Sequence, residues 1–244
     1  MNAMPHAVPT ETLLDHVDAA VHAARGFAAA ARDAVRKDVT GPDGRVDNEA
    51  ANRRQRRMHG LAWIATYAET LAQTARWARE LAAAGRFGEC ERDVVMIGFG
   101  EYLASLADGI AMSQNEYARP RELGIAGAAA ALTATPEVAW FLDNGNTAER
   151  RRALIDRLSS GARIADTLGD DDLDMVREQF RRFAQDKVAP YAHQWHLDNA
   201  LVPIEIVDQM AELGVFGICV DPDYGGLGMG KLAMCVVTEE LSRA

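Results

Sequence analysis

Apolar residues recur at three- and four-residue spacing through most of this chain, a period that gathers them on one face of a helix rather than on alternate faces of a strand. After a proline-bearing tail over residues 1–9, Leu13, Leu14, Val17, Val21 and Ala24 keep that spacing from a cap at Thr10 to about Val35. Thr40-Gly41-Pro42-Asp43-Gly44 breaks this first helix, since glycine and proline together mark a turn. A second helix is predicted from Asn48 to Ala84, with Leu61, Ile64, Ala65, Ala68, Leu71, Ala72, Ala75 and Ala78 on one buried stripe and Gly85 as its left-handed stop. A third, Glu91 to Ala118, carries Val94, Val95, Ile97, Leu103, Leu106 and Ile110 and ends at Arg119-Pro120. The short connection between the last two predicts an antiparallel helical hairpin.

Residues Leu123 to Ala134 are small and apolar and carry no period that assigns them. Thr135-Pro136 predicts a cap with proline in the first turn, Asp143-Asn144-Gly145-Asn146 closes that short helix, and Thr147 caps another through Leu158. Ser159-Ser160-Gly161 is the expected linker, which divides the chain into 1–160 and 161–244. Beyond it, Asp170, Asp171, Asp172 and Asp174 precede an amphipathic helix with Leu173, Val176, Phe180, Phe183, Ala184 and Val188, expected to end at Pro190. Acidic side chains are stabilised at a helix N-terminus, where free amides carry partial positive charge, so this run reads as an ordinary helix start and not as a metal site. Pro203 opens a helix through Leu213, stopped by Gly214. The fold class is all-α.

Composition supports this and narrows the partners. Nearly half of the 244 residues are apolar, enough for a sizeable core, and the abundance of alanine favours helix. The formal charge of −10 argues against nucleic acid or an anionic membrane surface. Three widely spaced cysteines, Cys90, Cys219 and Cys235, suit a reducing compartment, and with neither a leader nor a membrane span in the sequence a cytoplasmic location is expected.

Several constellations could carry chemistry. Gly225-Gly226-Leu227-Gly228-Met229-Gly230-Lys231 nearly spells a phosphate-binding loop. Leu232 stands where such a loop needs Ser or Thr, and no βαβ pattern surrounds it, so the glycines are assigned to a tight turn. His193 and His196, with Asp198 nearby, sit at ligand spacing without a further ligand, in a tract expected to lose its helix after Pro190; no metal is expected. Arg53, Arg54, Arg56 and Arg57 could touch a phosphate, but a solvated face or an acidic partner helix fits the net charge better. Cys219, in an apolar run, reads as a buried structural thiol, and Asp221 and Asp223 as turn residues bonded to local backbone. Glu239 and Glu240 are adjacent on a helix and point in different directions, which disfavours a paired acid–base role.

Taken together, an amphipathic helix, Pro203 opening a second, Glu212-Leu213-Gly214, an apolar run, Tyr224-Gly225-Gly226-Leu227-Gly228 and a helix ending Glu239-Glu240-Leu241-Ser242-Arg243 resemble the N-terminal helical domain of the acyl-CoA dehydrogenase family, over about Asp171 to Ala244. One departure is Asp221-Pro222-Asp223, where the family usually has proline followed by two acidic residues before the tyrosine. The stretches from His59 to Tyr67, Gly98 to Leu103 and Gly109 to Glu116, with Arg119-Pro120 and Met234-Cys235-Val236-Val237, resemble (2S)-methylsuccinyl-CoA dehydrogenases, whose N-terminal extension ordinary members lack.

The resemblance implies an FAD-dependent oxidation of an acyl-CoA thioester at Cα and Cβ, methylsuccinyl-CoA going to mesaconyl-CoA, with electrons passing to electron-transferring flavoprotein and the subunits forming a homo-oligomer. It also implies that residues 161–244 are an incomplete helical domain, followed by a flavin-binding β domain and a C-terminal helical domain that supplies the general-base glutamate. No catalytic, flavin-binding or metal-binding residue of this chain is therefore assigned, and substrate-contacting residues stay open. Two other readings remain: a non-catalytic helical interaction module that kept the fold, and a dehydrogenase for a different acyl-CoA.

Overall fold

A computed structural model of the chain describes residues 8–166 and 168–244; the tail expected over 1–9 lies, for residues 1–7, outside the described residues. The chain forms two compact units, one up to Ala165 and one from Asp166 to Ala244. Both are helical, as the spacing of apolar residues predicts.

The first unit is built on α1 (Thr10–Val39), α3 (Gln55–Ala83) and α4 (Glu89–Asp108), with the short α2 (Asn48–Arg53) between the first two. Helix α1 begins at Thr10 rather than after it, with Pro9 in the cap position and no side-chain cap. The Thr10 hydroxyl instead accepts from Arg92 of α4 (2.8 Å). The helix also outruns its expected end at Val35, because Val39 is buried too and extends the same apolar stripe by one turn. The second predicted helix is interrupted at Arg54 (φ −114°, ψ 18°). Just past this break Arg57 pairs with Asp38 of α1 (2.6 Å).

On α3, Ile64, Ala68, Leu71, Ala72, Ala75 and Ala78 are buried as expected, but Leu61 is half-buried and Ala65 is exposed. Helix α3 packs most extensively on α1 and less on α4, so the expected hairpin partner is not its main one.

The largest difference from expectation concerns α4, which ends at Asp108, ten residues early. Gly109 follows with φ 132° and ψ 138°, a conformation essentially restricted to glycine. The chain then turns into β1 (Ile110–Ala111) and β2 (Tyr117–Ala118), an antiparallel pair with Ile110 opposite Ala118. Ile110 is buried as the helical period required, but through a ladder.

The unassigned small apolar stretch forms α5 (Ala126–Ala134), followed by α6 (Pro136–Asn144) and α7 (Ala148–Ser159). Thr147 caps α7 by accepting from the Arg150 amide (3.2 Å). Helix α4 runs through the middle of this unit, with Phe99 fully buried against Phe141 of α6 at 4.9 Å between ring centroids.

In the second unit, α8 (Asp171–Phe183) is capped by Asp170, whose carboxylate accepts from the amides of Asp172 (3.0 Å) and Leu173 (3.1 Å). Pro190 does not end it. A π-helical turn over Ala184–Val188 shifts the bonding, with the Ala189 amide reaching the Ala184 carbonyl, and α9 (Ala189–Leu197) continues with Pro190 in its first turn, where a missing N–H costs nothing. Helices α10 (Ile204–Glu212) and α11 (Gly230–Ser242) complete the unit, joined by two 3₁₀ turns rather than by an extended run. Its core is Phe180, Ile218, Ala233 and Val237, with Leu173, Val176, Leu213, Val215 and Leu241 packed around them.

Candidate functional site

Two features of the second unit concentrate polar groups: the glycine turn and a set of charges between α8 and α11. In the turn, the Asp221 carboxylate accepts from the Asp223 amide (2.9 Å), and Gly225 takes φ 79° after the 3₁₀ turn Pro222–Tyr224. The amides that follow all point inward. Gly226 donates to Asp221 O (3.2 Å), and Leu227, Gly228 and Met229 donate to the carbonyls of Gly217, Val220 and Ile218 (each 2.9 Å).

A phosphate-binding loop works by aiming several free amides at its anion. Here those donors are consumed by the chain itself, and Lys231 stands exposed on the first turn of α11. The glycines therefore serve the turn. A Cβ on Gly226 would collide with the Val220 carbonyl, and one on Gly214 (φ 81°) would stand 2.7 Å from Leu227 Cδ1. The loop offers no cradle for the pyrophosphate of a flavin.

The charges sit within the packed stripe of the two helices. Ala233, Val236, Val237 and Glu240 are the buried positions of α11, and Arg177 and Phe180 those of α8. Arg181, one turn beyond Arg177, donates from Nε to Glu240 Oε2 and from Nη2 to Glu240 Oε1, both at 3.1 Å. Its Nη2 also reaches Asp166 Oδ2 (2.8 Å). Arg177 lies 3.6 Å from Glu240 Oε1 and 3.5 Å from Glu239 Oε2.

The carboxylates of Glu240 and Asp166 hold the Arg181 guanidinium above its ordinary value. The bond from Arg181 holds the Asp166 carboxyl below its own. A carboxylate engaged twice by one guanidinium and nearly without exposure has its lone pairs committed to α8, and what this geometry performs is fastening.

The depressed Asp166 carboxyl sets an acid dependence. Its contribution to stability is present above the unfolded carboxylate value of roughly 3.9 and is lost as pH falls through the lower folded value. Asp166→Asn is therefore expected to lower the stability of the second unit slightly at pH 7, the deficit closing as pH falls below the unfolded carboxylate value and through the lower folded one. Urea titrations of both proteins across that range measure it, and a deficit that persists or grows on acidification would contradict the assignment.

The remaining candidates separate cleanly. His193 and His196 lie on an intact helix, contrary to expectation, but both are exposed, and no group of metal-competent side chains exists among the described residues. Cys219 is exposed rather than buried, because the run containing it forms turns instead of a core segment; its thiol donates to the Gly230 carbonyl (3.1 Å). The arginines around the α2–α3 break meet acidic and carbonyl partners: Arg57 pairs with Asp38 and donates to the Leu123 carbonyl (3.0 Å), Arg56 reaches Glu122 (3.2 Å), and Arg53, at the end of α2, pairs with Glu49.

Sequence reasoning missed the two buried ion clusters. One is that of Glu240. The other is in the first unit, where Asp93 of α4 is paired with Arg150 (2.9 Å) and Arg157 of α7. The available signal was arginines at i, i+4 (177, 181) and i, i+7 (150, 157), each pair on one helix face.

Residues 170–244, which hold the glycine turn and the Glu240 cluster, match the acyl-CoA dehydrogenase N-terminal domain family. The chain is also 44% identical over 218 residues, 87% of its length and 38% of the relative's, to (2S)-methylsuccinyl-CoA dehydrogenase of Cereibacter sphaeroides. Residues 170–244 belong to the acyl-CoA dehydrogenase family. Two further dehydrogenases share shorter regions: glutaryl-CoA dehydrogenase of Desulfococcus multivorans, 42% identical over 74 residues, and the mitochondrial isovaleryl-CoA dehydrogenase of Arabidopsis thaliana, 36% identical over 89 residues. They cover 30% and 36% of this chain, and it covers 19% and 22% of theirs. The chain thus spans well under half the length of these relatives, and its family match is to the N-terminal domain. The turn and the Arg177–Arg181–Glu240 fastening are elements that shape its family domain.

Proposed function

We propose that this chain is the N-terminal part of an FAD-dependent dehydrogenase that oxidises methylsuccinyl-CoA to mesaconyl-CoA. One observation carries this reading. The second unit is too short to hold a match of 218 residues, so the likeness to the Cereibacter enzyme runs through most of the first unit as well. The glutaryl-CoA and isovaleryl-CoA enzymes share no more than 36% of the chain. The first unit is then the extension particular to this kind of dehydrogenase, and the second its helical family domain.

In such a reaction a carboxylate takes the α-proton acidified by the thioester, and the β-hydrogen leaves as hydride, for which the flavin is the acceptor. The glycine turn does not fit a flavin site, since its amides are consumed, and Glu240 is committed to Arg181 and so is not the base. Flavin and base are assigned to parts of the enzyme other than residues 8–244, electron-transferring flavoprotein is the acceptor, and the enzyme works as a cytoplasmic homo-oligomer.

The test uses the complete polypeptide that carries this chain. The purified protein is expected to show flavin absorbance that bleaches when methylsuccinyl-CoA is added, and to form mesaconyl-CoA with an artificial acceptor. Its kcat/KM should exceed that for glutaryl-CoA or isovaleryl-CoA by roughly tenfold or more, the discrimination that one or two pocket contacts provide. Protein purified without flavin, or an equal preference for the three thioesters, would overturn the proposal.

A further inference from the structure

Helix α7 is attached in an unusual way. None of its residues is buried, Ala153 and Leu154 are half-buried, and Ile155 is 60% exposed. Yet Asp93 of α4, 1% exposed, sits beneath it and receives an arginine from each end of the helix. Arg150 in the first turn donates Nη1 to Asp93 Oδ1 (2.9 Å), and Arg157 in the last turn pairs with Asp93 Oδ2. The two arginines are seven residues apart, two turns along one face, so a single carboxylate can take both. Arg157 is also 3.5 Å from Glu89, one turn earlier on α4.

The chain leaving α7 is held by the same means. Glu91 of α4, also buried, accepts from the amides of Gly88 (3.1 Å) and Ala165 (2.8 Å). Glu91 and Asp93 are the buried charged side chains found in the first unit among the described residues, and both are directed at the segment from Thr147 to Ala165. Between those anchor points Ile164 forms one wall of an apolar groove of about 760 Å³, together with Ala65, Thr66, Thr70, Trp77 and Val94.

We infer that residues 147–165 form a charge-latched strap, fastened to α4 by Asp93 and Glu91, which can lift and open this groove while α1, α3 and α4 stay folded. The physical basis is the mismatch in how the segments are held. Helices α1, α3 and α4 are joined by buried apolar side chains, whose contribution is spread over many contacts. The strap depends on a few buried ion pairs, where loss of one partner strands the others. Segments with few buried apolar contacts open locally, at lower cost than global unfolding.

Hydrogen exchange by mass spectrometry on the full chain tests this, comparing the parent with Asp93→Asn and Leu154→Ala. Asp93→Asn is expected to speed exchange of the α7 amides by on the order of tenfold or more, with α1 and α3 unchanged. Leu154→Ala should produce a smaller rise. Unchanged α7 exchange in Asp93→Asn would show that the charges do not hold the strap. Equal acceleration in α1 and α3 would show that Asp93 belongs to the global core, and a larger effect from Leu154→Ala would make apolar packing the fastener. Any of these three outcomes overturns the inference.

Discussion

Glu240→Ala is expected to destabilise the second unit by about 3–5 kcal/mol, the cost typical of removing one partner from a buried charge cluster. The loss would come less from the missing attraction than from Arg177 and Arg181, left facing the packed stripe of α8 and α11 without their carboxylate. Glu239 provides the internal control. It sits one residue earlier on the same helix, 46% exposed, pairs with Arg243 at 2.8 Å across the surface and touches the cluster only at its edge, 3.5 Å from Arg177. Its replacement by alanine should cost no more than about 1 kcal/mol, as for other exposed pairs. Urea unfolding of the two variants, followed by exchange of amides in α8 and α11, separates them. Similar losses from both substitutions would mean that the burial of Glu240 does not govern the packing of this unit.

Gly226→Ala is expected to cost the same unit roughly 3 kcal/mol or more, at the upper end of the range for overpacking a rigid site. The obstacle is backbone, since the added Cβ would overlap the Val220 carbonyl that accepts from Gly228, and no side-chain rotation relieves it. Gly225→Ala meets nothing within 4 Å and suffers only from its φ of 79°. Its cost should be smaller, on the order of 1 kcal/mol. Thermal unfolding orders the two. If Gly226→Ala unfolds with the parent, the close approach of the turn to residue 220 is not a constraint on the fold.

These expectations bear on how a glycine-rich sequence is interpreted. Gly225 to Lys231 reads alike whether its amides face an anion or its own chain, and the missing Ser or Thr after the lysine argued only against one kind of loop. What distinguishes the cases is the destination of four amides, and the acceptors at Gly217, Ile218, Val220 and Asp221 come from the end of the first 3₁₀ turn and the link between it and the second. Cys219 shows the same limit. An apolar neighbourhood in sequence suggested burial, but turns expose alternate residues regardless of hydropathy, and Cys219 is on the outside while Ile218 is in the core.

Much of the helical architecture was determined by the sequence alone. The stripe from Ile64 to Ala78, the cap at Thr147, the stop at Gly85 and the acidic helix start after Asp170 depend on side-chain period and on backbone groups within a few residues, so local chemistry suffices to place them. The tertiary structure decided where helices end when a neighbour competes, as at Asp108, where Ile110 is buried by pairing with the strand at Ala118. It also decided that Pro190 is bridged by a π turn. Above all it decided that Asp93 and Glu240 are interior and paired. An acidic residue in an amphipathic helix looks solvated until the arginines that neutralise it arrive from another helix, and a distance of 57 or 59 residues along the chain carries no period from which that meeting can be read.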